Sequence, residues 1–339
     1  WRALRRFKAV AIPDLSAKFE VRAGFDVGSG ATKMQVAWYD KTMKSVHEVL
    51  YNQQIEALYS HDLASGANGM LSPEMMSKGA KILADFARIA RAHGCHDDKL
   101  RGVATAVFRK AANGRGFLTQ IRTKTGIALK CIEQDLEGEI GFRTGQSLAA
   151  TNDVLVWDSG GGSFQISGYE ADGRVRMFGG ALGSSIVTEM AVRQQGLDFA
   201  KIQTPNPMTR AQAEMLRDAI TKRLEEIKMP KWLQERVGKK TTVVSIGGDT
   251  CAFNMCKHGT GKNPFDVDDL WKAVEACLDK TDKELEEEGF SQPSMVVPKM
   301  VLVFSVMKLL GLSCVRYFHS NGSTRGVIVS KEIWDGPWG

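Results

Sequence analysis

Two short turns carry the residue types from which phosphate chemistry can be built. Asp26-Val27-Gly28-Ser29-Gly30 and Asp158-Ser159-Gly160-Gly161-Gly162 each follow an apolar run and set an aspartate beside glycines. A phosphate needs several N–H donors close together. Glycines let the backbone approach it and permit the conformations of an anion-binding nest. Gly28 and Gly30 offer this once, and Gly160, Gly161 and Gly162 offer it again. Ser29, Thr32 and Ser163 add hydroxyl donors and Lys33 adds a positive charge. Asp26 and Asp158 would repel the same phosphates unless they serve a cation or a water. Magnesium, held by one or two carboxylates plus substrate phosphate, is the natural counter-ion. Ordinary hairpin turns also select Asp-Gly pairs. Two such turns, each closing an apolar strand, favour the chemical reading.

The elements that must position these turns repeat. In the first half, residues 21–25, 33–39 and 45–51 read as strands, and Ser72 with Pro73 opens a helix whose Ile82, Phe86 and Ile89 share one face. Strand and helix then alternate: strands at 102–107 and 128–132, helices at 111–125 and 136–148. The second half restarts with strands at 153–157, 163–169 and 174–178 and a helix at 185–194. Thr209 and Gln212 form a capping box for a helix carrying Leu216, Ile220, Leu224 and Ile227. A strand at 241–246, helices at 266–287 and 298–310, and a strand at 314–318 complete the pattern. Both halves begin strand, Asp-Gly turn, strand, which implies duplication of one supersecondary unit. The expected architecture is α/β, with two domains that are each a mixed five-stranded sheet flanked by helices, and a cleft between them. The boundaries read as a basic segment at 1–19, domains at 20–150 and 151–330, and a tail at 331–339.

Composition bounds the partners. The 339 residues are 43% apolar and 25% charged, as in a soluble globular protein of two domains. The net charge of +6 suits a polyanion. No helix interleaves arginines with aromatics, so nucleic acid is the weaker choice. The most apolar stretch, residues 300–315, reads as too short for a membrane span and is interrupted by Lys308. The six cysteines are scattered without a CxxC pair, so a reducing compartment is the default, and Cys251 and Cys256 read as thiols on a helix. The first eight residues hold four positive charges and no acid, which reads equally as the remnant of an organelle transit peptide, a basic arm, or a solvated tail. A homodimer or larger assembly stays open.

The motifs also carry a resemblance. Residues 26–33 and 158–163 look like the two phosphate loops of the actin, sugar kinase and Hsp70 superfamily. Within it, Ala104-Thr105 reaching Arg109, Asn113-Gly114, Thr125-Gly126, the helix after Ile132, Ile246-Gly247-Gly248 and residues 301–312 resemble the exopolyphosphatase and guanosine pentaphosphate phosphatase branch, over roughly residues 20–330. The resemblance implies a phosphoanhydride hydrolase acting with magnesium on polyphosphate or a guanosine polyphosphate. It makes Glu137 the base for the attacking water and gives Thr105, Arg109, Gly247 and Gly248 to the phosphates. Asp26, Asp158 and the residue at Gln165 would hold the metal, with Asp158 also catalytic. The chain departs from the pattern in three places. Gln165 stands where the family carries a metal-holding Glu, Gly30-Ala31 replaces a polar pair, and Thr324-Arg325-Gly326 replaces Arg-Glu-Gly. A catalytically degraded subunit kept for binding or assembly, and an ATP-dependent kinase or ATPase using Ile246-Gly247-Gly248-Asp249, are the rival readings.

Overall fold

A computed structural model describes residues 15–66 and 68–335. Residues 1–14 of the basic segment read at 1–19, and residues 336–339 of the tail, lie outside the described residues. After one helical turn, Leu15–Lys18 (α1), the first sheet grows from a hairpin of Phe19–Val27 (β1) and Ala31–Asp40 (β2), extended by Ser45–Glu56 (β3). Leu100–Ala104 (β4) and Ala128–Cys131 (β5) join in parallel on the other side of β1, in the order β3-β2-β1-β4-β5. Tyr59–Ser65 (α2), Pro73–Ala92 (α3), Ala106–Lys110 (α4) and Gly114–Thr125 (α5) share one apolar core with this sheet. Ser72 caps α3 by accepting from the Met75 N–H at 3.1 Å, ahead of Pro73.

Helix Gln134–Ala149 (α6) leads into the second sheet. Val154–Ser159 (β6), Phe164–Tyr169 (β7) and Val175–Gly180 (β8) form an antiparallel meander, and Thr242–Gly247 (β9) runs parallel to β6. Phe265–Asp266 (β10) and Cys314–His319 (β11) complete the order β10-β11-β9-β6-β7-β8. Around it pack Ser184–Gln194 (α7), Arg210–Glu225 (α8), Lys231–Gly238 (α9), Ala252–Thr260 (α10), Val267–Ala276 (α11), Asp282–Glu287 (α12) and Val296–Leu310 (α13). The Thr209–Gln212 capping box forms, and Leu216, Ile220 and Leu224 are wholly buried.

Two mixed sheets in tandem match the expected architecture, with local corrections. The second sheet has six strands because the two-residue β10 adds at its edge. The strand expected at 102–107 stops at Ala104, where the Thr105 N–H donates to Val27 O and turns the chain into α4, burying Val107 and Phe108. The helix expected at 266–287 is two helices. Asp279 adopts φ of 59°, and Thr281 starts α12 with its own capping box to Glu284. Cys256 is buried on α10, whereas Cys251 is its N-cap, accepting from the Asn254 N–H. Residues 293–310 do reach the length and apolarity of a membrane span, but 72% of that stretch is buried inside the protein. It is a core helix, with Lys299 bonded to Thr250 O at 2.7 Å and Gln292 Oε1 at 2.6 Å.

The chain end also returns. Thr324–Val329 (α14) and Lys331–Trp334 (α15) pack on the first sheet and α6, not the second. Arg22 donates to Ile328 O at 2.9 Å and Arg101 to Trp334 O at 2.7 Å. The buried Asn321 amide donates to Met34 O at 3.0 Å and Gln53 O at 2.9 Å. Residues 321–330, read with the second domain, therefore pack with the first sheet. Gly326 makes this return possible, because a Cβ there would strike the backbone oxygen of Ile140 on α6.

Candidate active site

The two turns are built alike. Gly28 N–H donates to Ala31 O at 3.0 Å, and Gly160 N–H donates to Ser163 O at 2.9 Å. In each, the next carbonyls are taken by the start of a helix. Ser60 N–H reaches Ser29 O, and Ser184 and Ser185 N–H reach Gly160 O and Gly161 O, each at 2.9 Å. With the carbonyls drawn away, the amides of Ser29, Gly30, Gly161 and Gly162 make no hydrogen bond within the described residues. They are the free donors that a phosphate requires. Register then sets what stands behind each turn: Asp26 pairs with Lys33 across β1–β2, and Asp158 pairs with Gln165 across β6–β7.

Two adjoining cavities make one cleft. The first, about 180 Å³, is lined by Asp26, Gly28, Ser29, Lys33, Thr105, Glu137 and Ser323. The second, about 270 Å³, includes Arg109, Gln134, Glu137, Asp158, Ser163 and Gln165, with Ser323 again. Glu137 and Ser323 belong to both, so Asp26 in one cavity and Asp158 in the other line the same cleft. Gly30 and Gly160 to Gly162 sit exposed at the turn tips, outside both linings. Gly247 and Gly248 also lie outside. Gly247 ends β9 and Gly248 follows it, next to Ile246, which pairs with Asp158, and Gly247 O accepts from Ser320 N–H at 2.8 Å and the Tyr317 hydroxyl at 3.0 Å. Thr32 is a correction: strand alternation turns it into the core, 3.2 Å from the Tyr59 hydroxyl, while Lys33 faces the cleft.

The electrostatics centre on three carboxylates. Glu137 lies in the first turn of α6, and Arg109, at the end of α4, donates to its Oε2 at 3.2 Å and to Ile132 O. Burial pushes the Glu137 carboxyl above its ordinary range, Arg109 opposes this, and Asp26 and Asp158 add to the rise. Asp158 is open to the cleft, yet the protein around it also raises its carboxyl, against Lys33 and the Ser159 N–H and with Asp26. Asp26 is engaged: the Ser323 N–H donates to its Oδ2 at 2.9 Å and Lys33 Nζ stands 3.8 Å away. Among the described residues no cation pairs with the Asp158 side chain, and Gln165 donates to Ser163 Oγ at 2.8 Å.

This donor set suits a particular kind of metal binding. No group of three His, Cys, Asp or Glu converges among the described residues. One unpaired carboxylate beside an amide oxygen fits magnesium that keeps its waters and shares substrate phosphate, not an all-protein cage. Ser323 and Gln134 were not foreseen. The run Ser320-Asn321-Gly322-Ser323 directly after a strand is a turn signal from which a third loop could have been read.

Comparison with known proteins gives a consistent result. The sequence pattern of the Ppx/GppA phosphatase family matches residues 39–333, beginning after the first Asp-Gly turn. Exopolyphosphatase 1 of Mycobacterium bovis is 29% identical over 107 residues, 31% of this chain and 30% of the relative. A bifunctional 3-dehydroquinate synthase/phosphatase of Fusobacterium nucleatum is 23% identical over 175 residues, 50% of this chain and 26% of the relative. The matched stretches thus span about a third or less of these relatives. The crystal structure of the Aquifex aeolicus Ppx/GppA family member has the same fold, with a TM-score of 0.71 at 16% identity over 92% of this chain and 97% of that one. An exopolyphosphatase from Cytophaga hutchinsonii gives 0.62 at 17% identity, over 91% and 96%.

Proposed function

The chain belongs to the Ppx/GppA phosphatase family, and from that premise we propose that it hydrolyses terminal phosphoanhydride bonds of inorganic polyphosphate or a guanosine polyphosphate. The observation that carries this reading is the position of Glu137. Its carboxylate sits where the two halves of the cleft meet, between the turns that would hold phosphate.

The free amides of both turns, Lys33 and Arg109 bind the terminal phosphates and offset their charge. Glu137 orients a water and accepts its proton as the water oxygen attacks phosphorus. The bond to the bridging oxygen breaks, and the shortened chain leaves with that electron pair. Asp158, with the Gln165 amide oxygen, would hold magnesium, which supplies charge neutralisation at the phosphoryl oxygens when bound. Asp26 is occupied by Lys33 and the Ser323 amide, so its part is to hold Lys33 toward the phosphates.

A second reading, a binding or assembly subunit without turnover, is favoured by one observation: residue 165 brings an amide, not a carboxylate, opposite Asp158. Incubation of the protein with magnesium and tripolyphosphate, guanosine pentaphosphate or ATP separates the two. The hydrolase reading expects phosphate release from one of the first two substrates. Binding of tripolyphosphate without release from any substrate would establish the second reading instead.

A further inference from the structure

Helix α6 reaches the cleft with its first turn. Its last turn, at the other end of a helix about 24 Å long, lines a different space. There a groove of about 820 Å³ opens between the β2–β3 turn, the end of α6 and the returning α14 and α15. Its walls carry Lys44, Arg143, Arg325 and Lys331 against a single acid, Glu332.

These charges are not balanced locally. Arg143 is answered by Glu139 at 3.2 Å, and Glu332 accepts from the Ser330 hydroxyl at 2.8 Å. Arg325 is partly buried and donates through Nε to Ser147 Oγ at 2.9 Å, with no carboxylate partner among the described residues. Burial lowers its pKa. Lys44 and Lys331 likewise form no ion pair there. Other withdrawn guanidiniums in this chain do meet acids: Arg22 reaches Glu20 at 2.6 Å, and Arg236 reaches Asp153 at 2.7 Å. Withdrawing a cation from water without a counter-charge is costly. The buried Lys299 is answered by two neutral oxygens inside the core, whereas Arg325 opens onto a groove that an anion can enter.

We propose that this groove is a second oligophosphate site, separate from the cleft and independent of the reading given to it. The planar fork of Arg325 takes phosphate oxygens, and Lys44 and Lys331 at the rim neutralise the rest of the chain. Gln146 and Asn152 stand in the same wall, the Gln146 amide donating to Asn152 Oδ1 at 3.2 Å. The ligand is a run of linked phosphates, from inorganic polyphosphate or from a nucleotide. The wall includes Ala150, left-handed at φ of 52°, with Thr151 and Asn152, the link from α6 to β6. A ligand here therefore bears on the joint between the sheets.

The test is calorimetric titration with tripolyphosphate in the presence of a chelator, so that turnover does not intrude. The wild type should show a groove-binding event that is weakened about tenfold in Lys44→Gln/Lys331→Gln, whose side chains are exposed, and that persists in the cleft variant Lys33→Gln. Arg325→Gln, checked for native circular dichroism, should lose the event. Binding that is unchanged in the double variant, or that vanishes entirely in Lys33→Gln, overturns the proposal. Titration with GTP then separates the sources. Displacement of the groove-bound tripolyphosphate identifies a nucleotide, and its absence identifies inorganic polyphosphate. Because groove and cleft variants are scored separately, failure of one site is not mistaken for failure of the other.

Discussion

Arg109 and Glu137 form an ion pair across 3.2 Å, and Arg109 is also tied to the Ile132 carbonyl, so the proposed phosphate ligand and the proposed base restrain each other. In the free protein the guanidinium holds the carboxylate. Phosphate oxygens offer that guanidinium a competing partner, and the carboxylate is then free to receive a proton from water.

Arg109→Ala should act in two ways. Tripolyphosphate affinity should fall about tenfold or more, since a charge-assisted hydrogen bond is lost, and the remaining affinity should be less sensitive to salt. The acid limb of the rate profile should also move upward. Burial already raises the Glu137 carboxyl and Arg109 opposes that rise, so removing Arg109 leaves burial, Asp26 and Asp158 to act alone. Titration calorimetry and the pH dependence of kcat/KM measure the two effects. An unmoved limb removes Arg109 from control of the base.

Glu137→Gln should lower kcat by about 100- to 10,000-fold while leaving tripolyphosphate binding within a few-fold of wild type. The amide keeps the shape but cannot accept the proton. In the wild type, activity should be lost as pH falls through a carboxyl value above the ordinary glutamate range, because only the ionised form is a base. Steady-state kinetics across pH reads both. Full turnover in the variant assigns the base elsewhere.

Gln165→Glu should tighten magnesium binding about tenfold, because it places a second carboxylate in register with Asp158. Without metal the like charges should push the Asp158 carboxyl still higher and lower stability at neutral pH. Magnesium titration followed by thermal unfolding reports both. Equal magnesium affinity in the two proteins would remove residue 165 from the metal site.

Gly326→Ala should destabilise the fold by about 3 kcal/mol, since its Cβ meets the rigid Ile140 backbone and not a movable side chain. Gly141→Ala on the same helix α6 has nothing near its Cβ, and should be neutral or stabilising by up to about 1 kcal/mol. Denaturant unfolding compares the pair, and similar values would disconnect α14 from the packing of α6.

The local rules that made the fold legible are those with a short reach. Apolar runs ending in Asp26 and Asp158, the Ser72 and Thr209 caps, and the repeated strand order depend on neighbours a few residues apart, so sequence alone located both turns and both sheets. The same reach explains the misses. The end of β4 at Ala104 depends on a hydrogen bond to Val27, and the break before Thr281 depends on Asp279 donating to Met208 O at 2.8 Å. Glu137 is one acid beside Glu133, Asp135 and Glu139 in the sequence, and only a resemblance singles it out. Its place at the meeting of two cavities is a product of α6 packing between the sheets. Ser323 reaches Asp26 across 297 positions in the chain. Residue types and their spacing thus determined that this protein carries two glycine-rich Asp turns, each closing an apolar strand. Tertiary structure alone decided which carboxylate stands between them, because desolvation and charge proximity arise from residues that no local pattern brings together.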